Sequence, residues 1–134
     1  MTMNVALALM RMVLNGPLPR EVDDLIARRR ALGLDAHDEV WNGEYHMNAA
    51  PNAQHSRLEV SLHIALYAPV RDAGLHLVGS INVGNDQHDF RVPDTAVLRR
   101  RTDEIWLDDA AIVFEILSPH DESWQKFDHY ARFG

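Results

Sequence analysis

The stretch "AAIVFEILSP", residues 110–119, decides how this chain is read. From Ala110 to Leu117 it is apolar except for Glu115. A short continuous apolar run, with a polar segment before it and Ser118-Pro119 after it, predicts a central β-strand covered on both faces. A lone charge buried there costs several kcal/mol unless it is paired or holds an ion. Glu115 therefore needs a partner.

A second stretch is built the same way. "RVPDTAVLRR", residues 91–100, reads as a strand that carries Asp94 directly after Pro93. Successive strands usually lie side by side, which draws the two acids together. One such acid is as readily a hydrogen-bonded structural group as a functional one. Two in successive apolar strands, with no obvious arginine between them, point to a hard-oxygen site suited to Mg²⁺ or Mn²⁺. Because like charges repel, neutralising either acid is expected to leave the metal-free protein as stable or more stable.

Lys126 is the third element. Ser118 is an N-cap candidate with Pro119 behind it, so a helix is expected to open there. At about 100° per residue, Trp124, Phe127 and Tyr130 form an aromatic stripe that should face the sheet. Lys126 borders that stripe and can carry its ammonium to the strand ends. Taken alone, a solvated surface lysine is the simpler reading. Its place one loop after the Glu115 strand favours the site.

The rest of the chain supplies the frame. "EVDDLIARRRALGL" after Pro19 has acids first and arginines last, as the helix dipole favours, and Gly33 stops it. "DEVWNGEYHMN" is a hairpin around Asn42-Gly43. Residues 52–73 predict the longest helix, with Leu58, Leu62, Ala65 and Leu66 on its apolar face and Pro69 distorting or ending its last turns. "LHLVGSINVG" reads as one further strand, followed by the loop "NDQHD". "RTDEIWLDD" is a polar connection with an apolar patch from Ile105 to Leu107. Helices around strands give an α/β (α+β) class: one mixed β-sheet flanked by helices. No repeat or linker divides it, so residues 21–134 form one domain behind an N-terminal extension, 1–20.

Composition narrows the functions. The chain has 134 residues, 46% of them hydrophobic, and no cysteine. That excludes a disulfide scaffold or thiolate metal site and fits a reducing cytoplasm. The apolar run from Val5 to Leu14 has no basic head and falls short of a membrane span, so no membrane is expected. Met10 and Met12 are alternative starts. A net charge of −7 argues against non-specific adherence to nucleic acid. A metal-dependent nuclease can nonetheless be acidic, and the arginines cluster at residues 28–30 and 99–101.

His55 is a fourth candidate, at the N-terminal end of the long helix, although a hydrogen-bonded helix-start histidine is its simpler reading. Glu44 on the hairpin is a further possible ligand, and Glu59 is read as solvated. The remaining histidines form no H-x-H or H-x-x-x-H pair, so no zinc site is inferred.

The pattern "RVPD…EILSP…K…Y" resembles the PD-(D/E)XK nuclease superfamily and, within it, the Uma-type restriction endonucleases. "DEVWNGEYHM" is similar to that family's opening hairpin. The resemblance covers roughly residues 21–134. It implies a restriction-endonuclease-like fold, with Asp94 and Glu115 as metal-binding and catalytic acids, Mg²⁺ or Mn²⁺ as cofactor and DNA as substrate. The lysine position of the E-x-K element is Leu117 here; the family can take its lysine from the next helix, which carries Lys126. His55 matches the polar active-site residue that the superfamily often draws from the preceding helix. Family chains run on into a "V-x-E-x-W-x-V-D" stretch where this one stops at "YARFG". The expectation is a C-terminally truncated sheet, or an edge completed by a partner such as a second copy in a homodimer. Two functions follow: a metal-dependent endonuclease, or a catalytically silent interaction module on the same fold. Arginine clusters beside the acids would favour the first; clusters pointing away would favour the second.

Overall fold

Among the residues that a computed structural model describes (12–14, 16–118 and 122–133), the chain builds three helices and nine short strands in two sheets. Residues 5–11 of the apolar run, including Met10, lie outside the described residues, as do Pro119 and His120.

Met12–Leu14, read as part of an extension, is strand β1 and pairs with a hairpin strand at the sheet edge. Helix α1, Arg20–Ala31, follows Pro19, and its last turn carries Arg28, Arg29 and Arg30. Strands β2 (Glu39–Trp41) and β3 (Glu44–Met47) form the expected hairpin. Asn42 and Gly43 both have positive φ, 50° and 88°, the left-handed pair that an Asn-Gly turn accommodates. Helix α2, Ala53–Asp72, starts at Asn52, whose side chain accepts a hydrogen bond from the backbone N–H of His55. It runs through Pro69 to Asp72 instead of ending there.

Several elements differ from the sequence reading. "LHLVGSINVG" is two strands, β4 (His76–Val78) and β5 (Asn82–Asp86), in different sheets. The stretch around Pro93 is likewise split into β6 (Asp89–Arg91) and β7 (Thr95–Leu98). Pro93 has no N–H for a ladder, so the pairing breaks and the chain changes sheets there. The single mixed sheet is therefore two. After β8 (Trp106–Leu107) and β9 (Ala110–Phe114), the larger sheet runs β1-β3-β2-β6-β5-β8 and the smaller β4-β7-β9. β8 is parallel to β5 and the other pairings are antiparallel.

The run read as a central strand is thus an edge strand, because β9 pairs with β7 alone among the described strands. Ile112 on it is exposed. Helix α3, Ser123–Tyr130, opens after Glu122, later than the Ser118 cap expected. It buries Ser123 and Tyr130, with Lys126 between them at i+3, so the lysine sits within the packed face. Trp124, 71% exposed, points away, and Phe127 is 39% exposed. Of the aromatic stripe only Tyr130 is buried, in a cluster with Val83, Ala96, Leu98, Leu107 and Ala110. A second cluster, Ile26, Val40 and Tyr45, fixes α1 to the hairpin. Between these clusters lies the Val92–Asp94 crossing.

Candidate active site at the strand break

Glu39 is the centre that the sequence reading missed. It lies on β2 with a side chain 1% exposed. Its Oε1 accepts from the Val92 backbone N–H at 2.8 Å and from the Lys126 ammonium at 2.8 Å. Its Oε2 accepts from the Trp41 indole at 2.7 Å. The missing ladder bonds around Pro93 are part of the reason for this position: Val92, outside any strand, finds its acceptor in a side chain. Only one signal could have found Glu39, an acid spaced two residues from Trp41 in a hairpin arm and so on the same strand face. Glu44, the hairpin acid chosen instead, is half exposed, lies 3.8 Å from His46 and does not line the cleft.

Asp94 sits in a bend just before β7, and Glu115 just after β9. Thr95 pairs with Phe114 and Ala96 with Val113. Continuing that antiparallel register by one step sets Asp94 opposite Glu115, both side chains on one face. Asp94 Oδ2 accepts from the Ile116 backbone N–H at 2.6 Å, and Oδ1 lies 2.8 Å from His55 Nε2. A carboxylate only accepts, so Nε2 is assigned the hydrogen. The His55 ring therefore holds Asp94 from α2. Its N–H at the N-cap and its ring are both engaged, so the helix-start reading and the site reading describe the same residue.

Glu115, with its side chain 3% exposed, accepts from the Tyr130 hydroxyl at 2.5 Å and lies 3.3 Å from the Lys126 ammonium. Burial pushes its pKa up to about 7; Asp94 and Glu39 add to the rise, while Lys126 and the Tyr130 bond oppose it. Burial alone would lower the Lys126 pKa, but the fields of Glu39 and Glu115 outweigh it and the net shift is upward. The lysine, 13% exposed, is therefore held as a cation. Burial, then the nearby carboxylates, raise Tyr130 far above its usual value, so it stays a donor.

Glu39, His55, Asp94, Glu115 and Lys126 all line one cleft of about 260 Å³. Glu59, read as solvated, lines it as well, as does Glu122. The helix turns inward its half-buried residues His55, Glu59, Leu62 and His63; Leu58, expected on the apolar face, is exposed. His63 makes a 2.7 Å contact with Thr95 Oγ1, so α2 is docked on the Asp94–Thr95 segment partly through histidines.

No arginine among the described residues lines the cleft. Arg29 is bound to Asp38 at 2.9 Å, Arg30 lies 3.8 Å from Asp35, Arg99 pairs with Asp109, and Arg100 with Glu104 at 2.9 Å. A cleft lined by acids with one ammonium repels a phosphate backbone unless a cation intervenes.

Hard oxygen donors suit Mg²⁺ or Mn²⁺. Two of them, Glu39 Oε1 and Glu115 Oε1, already share one positive charge, the ammonium between them. Among the described residues no three His, Asp or Glu side chains come together around a common ion position. Mg²⁺ is usually held by one or two carboxylates with water completing its shell, which this pair can supply.

Comparison with protein-family models, with curated proteins and with solved structures finds no match. The described residues form a mixed α/β structure with two sheets and three helices. No helix among the described residues is long and apolar enough to cross a membrane.

Proposed function

We propose that this protein is a metal-dependent nuclease-like hydrolase of DNA phosphodiester bonds, with a restriction-endonuclease-like fold. One observation carries the reading: three carboxylates from three different strand ends and a buried lysine share one cleft. Burying such a set is costly and contributes little to stability that apolar residues would not, whereas perturbed buried charges concentrate at functional sites. A bound Mg²⁺ or Mn²⁺ would activate water and neutralise phosphate charge. Glu115 and Glu39, the two acids that face the Lys126 ammonium, would hold the ion, with Asp94 across the strand pair from Glu115 lining the same cleft. His55 fixes the orientation of Asp94, and Tyr130 that of Glu115. Lys126 supplies the positive charge for the developing oxyanion. The cysteine-free composition fits a cytoplasmic site of action.

Plasmid nicking tests this. With Mg²⁺ or Mn²⁺ the intact protein should nick DNA. Lys126→Ala should lower the rate by about 10²-fold, the scale of one lost transition-state contact. A well-folded protein that nicks nothing with either metal would replace this reading by the second, a silent interaction module. The arginines favour that second reading, since Arg29, Arg99 and Arg100 are each engaged by an acid and none of the three lines the cleft. We also propose a homodimer through the open β9 edge, where Ile112 and the nearby Leu117 are exposed.

A further inference from the structure

Lys126 is the only lysine in the chain; arginine supplies every other side-chain cation. Its position is more specific than a neighbour of the acids. The ammonium lies 2.8 Å from Glu39 Oε1 and 3.3 Å from Glu115 Oε1, with both carboxylates almost wholly buried. We infer that Lys126 is a tethered counter-ion filling the divalent-cation position between Glu39 and Glu115, and that metal binding displaces it. This rests on the metal-dependent reading above and names the ligand pair and its gate.

The chemistry of the side chain supports it. An arginine would present a planar, bidentate fork, whereas lysine presents a compact point charge with rotatable donors. That point charge occupies the gap as a small ion would. Two buried carboxylates facing one gap repel each other when it is empty, and the ammonium removes that repulsion. Ammonium and divalent ion cannot both fill the gap between the same two oxygens. The ion therefore enters by exchange, and the lysine lowers its apparent affinity. The exchange also has a use. Lys126 stays anchored on α3, whose Ser123 lines the same cleft, so the displaced ammonium remains at the site while its partners are taken up by the metal. Metal arrival thus frees a cation inside the cleft for an incoming phosphate to meet.

Two measurements on the full chain test this. Titration calorimetry with Mn²⁺ at pH 8 should show Lys126→Met binding at least ~10-fold more tightly than wild type, and Glu39→Gln in that background should abolish the gain. Acylation of the Lys126 amine, followed by peptide mass spectrometry in the wild-type protein, should speed up at least ~10-fold when Mg²⁺ is added. A single lysine makes that signal unambiguous, and it decides the matter if Lys126→Met does not fold. Mn²⁺ binding of equal strength in both proteins, or an acylation rate unmoved by Mg²⁺ in a protein that binds the ion, overturns displacement and leaves the hydrolase reading standing. Absence of Mn²⁺ binding by both folded proteins removes the metal reading itself, and displacement with it.

Discussion

Asp94 and Glu115 look alike in sequence, each a lone acid in an apolar strand, yet their surroundings give them different energetics. Asp94 accepts from the Ile116 N–H and from the His55 ring. Asp94→Ala would orphan a backbone donor, at a cost of about 1–3 kcal/mol. This reverses the expectation that neutralising this acid is harmless. Glu115 behaves in the opposite way. Its folded pKa, about 7, stands above the usual 4.5. A raised folded pKa means stability that is present below the unfolded value and is lost as pH rises through the folded one. Between about pH 4.5 and 7 the protein should therefore lose stability through this group, by roughly 3 kcal/mol for two and a half pKa units. Glu115→Gln should resemble wild type at pH 5 and gain on it at pH 8, read by denaturant melts at the two pH values. Equal differences at both would show that Glu115 does not titrate in this range.

Helix α3 shows how an element can be placed correctly and oriented wrongly. The spacing of Trp124, Phe127 and Tyr130 marks an aromatic face, and a helix does form over all three. Its packed side is instead the i, i+3, i+7 row Ser123, Lys126, Tyr130. Hydrophobicity alone could not predict this, because what holds the lysine inward is a pair of acids from distant strands. Tyr130→Ala should cost about 3–5 kcal/mol, the range for a buried aromatic. Trp124→Ala should cost under about 1 kcal/mol, as exposed substitutions do. Chemical denaturation of the two variants compares them directly, and a Trp124 loss as large as that of Tyr130 would contradict the packing described. Gly84 shows the same dependence on distant chain: a Cβ there would lie 2.2 Å from the Asp89 carbonyl oxygen on the paired strand β6.

At the scale of the whole molecule, the two sheets meet at the Val92–Asp94 crossing and the acids gather there. The opposite consequence is an open edge. Among the described strands β9 has one neighbour, and an unpaired edge offers backbone donors and acceptors to another chain. If a second copy completes that edge, sedimentation velocity should show a concentration-dependent dimer. Ile112→Lys, a charge placed on the edge, should shift it to monomer without unfolding it. A protein that stays monomeric at high concentration would discount the homodimer.

Local chemistry was enough to read much of this chain. The Asn42-Gly43 turn, the dipole-matched charges of α1, the Asn52 start of α2 and the extended segments beside Asp94 and Glu115 all depend on neighbours within a few residues. Asp94 and Glu115 could be named because an acid in an apolar run is anomalous wherever the run ends up, and Lys126 because it follows the Glu115 run by one loop. Glu39 could not, because its meaning comes from Val92, far along the chain, and Lys126, farther still. The split into two sheets was hidden for a related reason: Pro93 announces a broken ladder, but which sheet each half joins depends on strands elsewhere. Burial of polar groups is decided by partners across the fold, and only the tertiary structure brings those partners together.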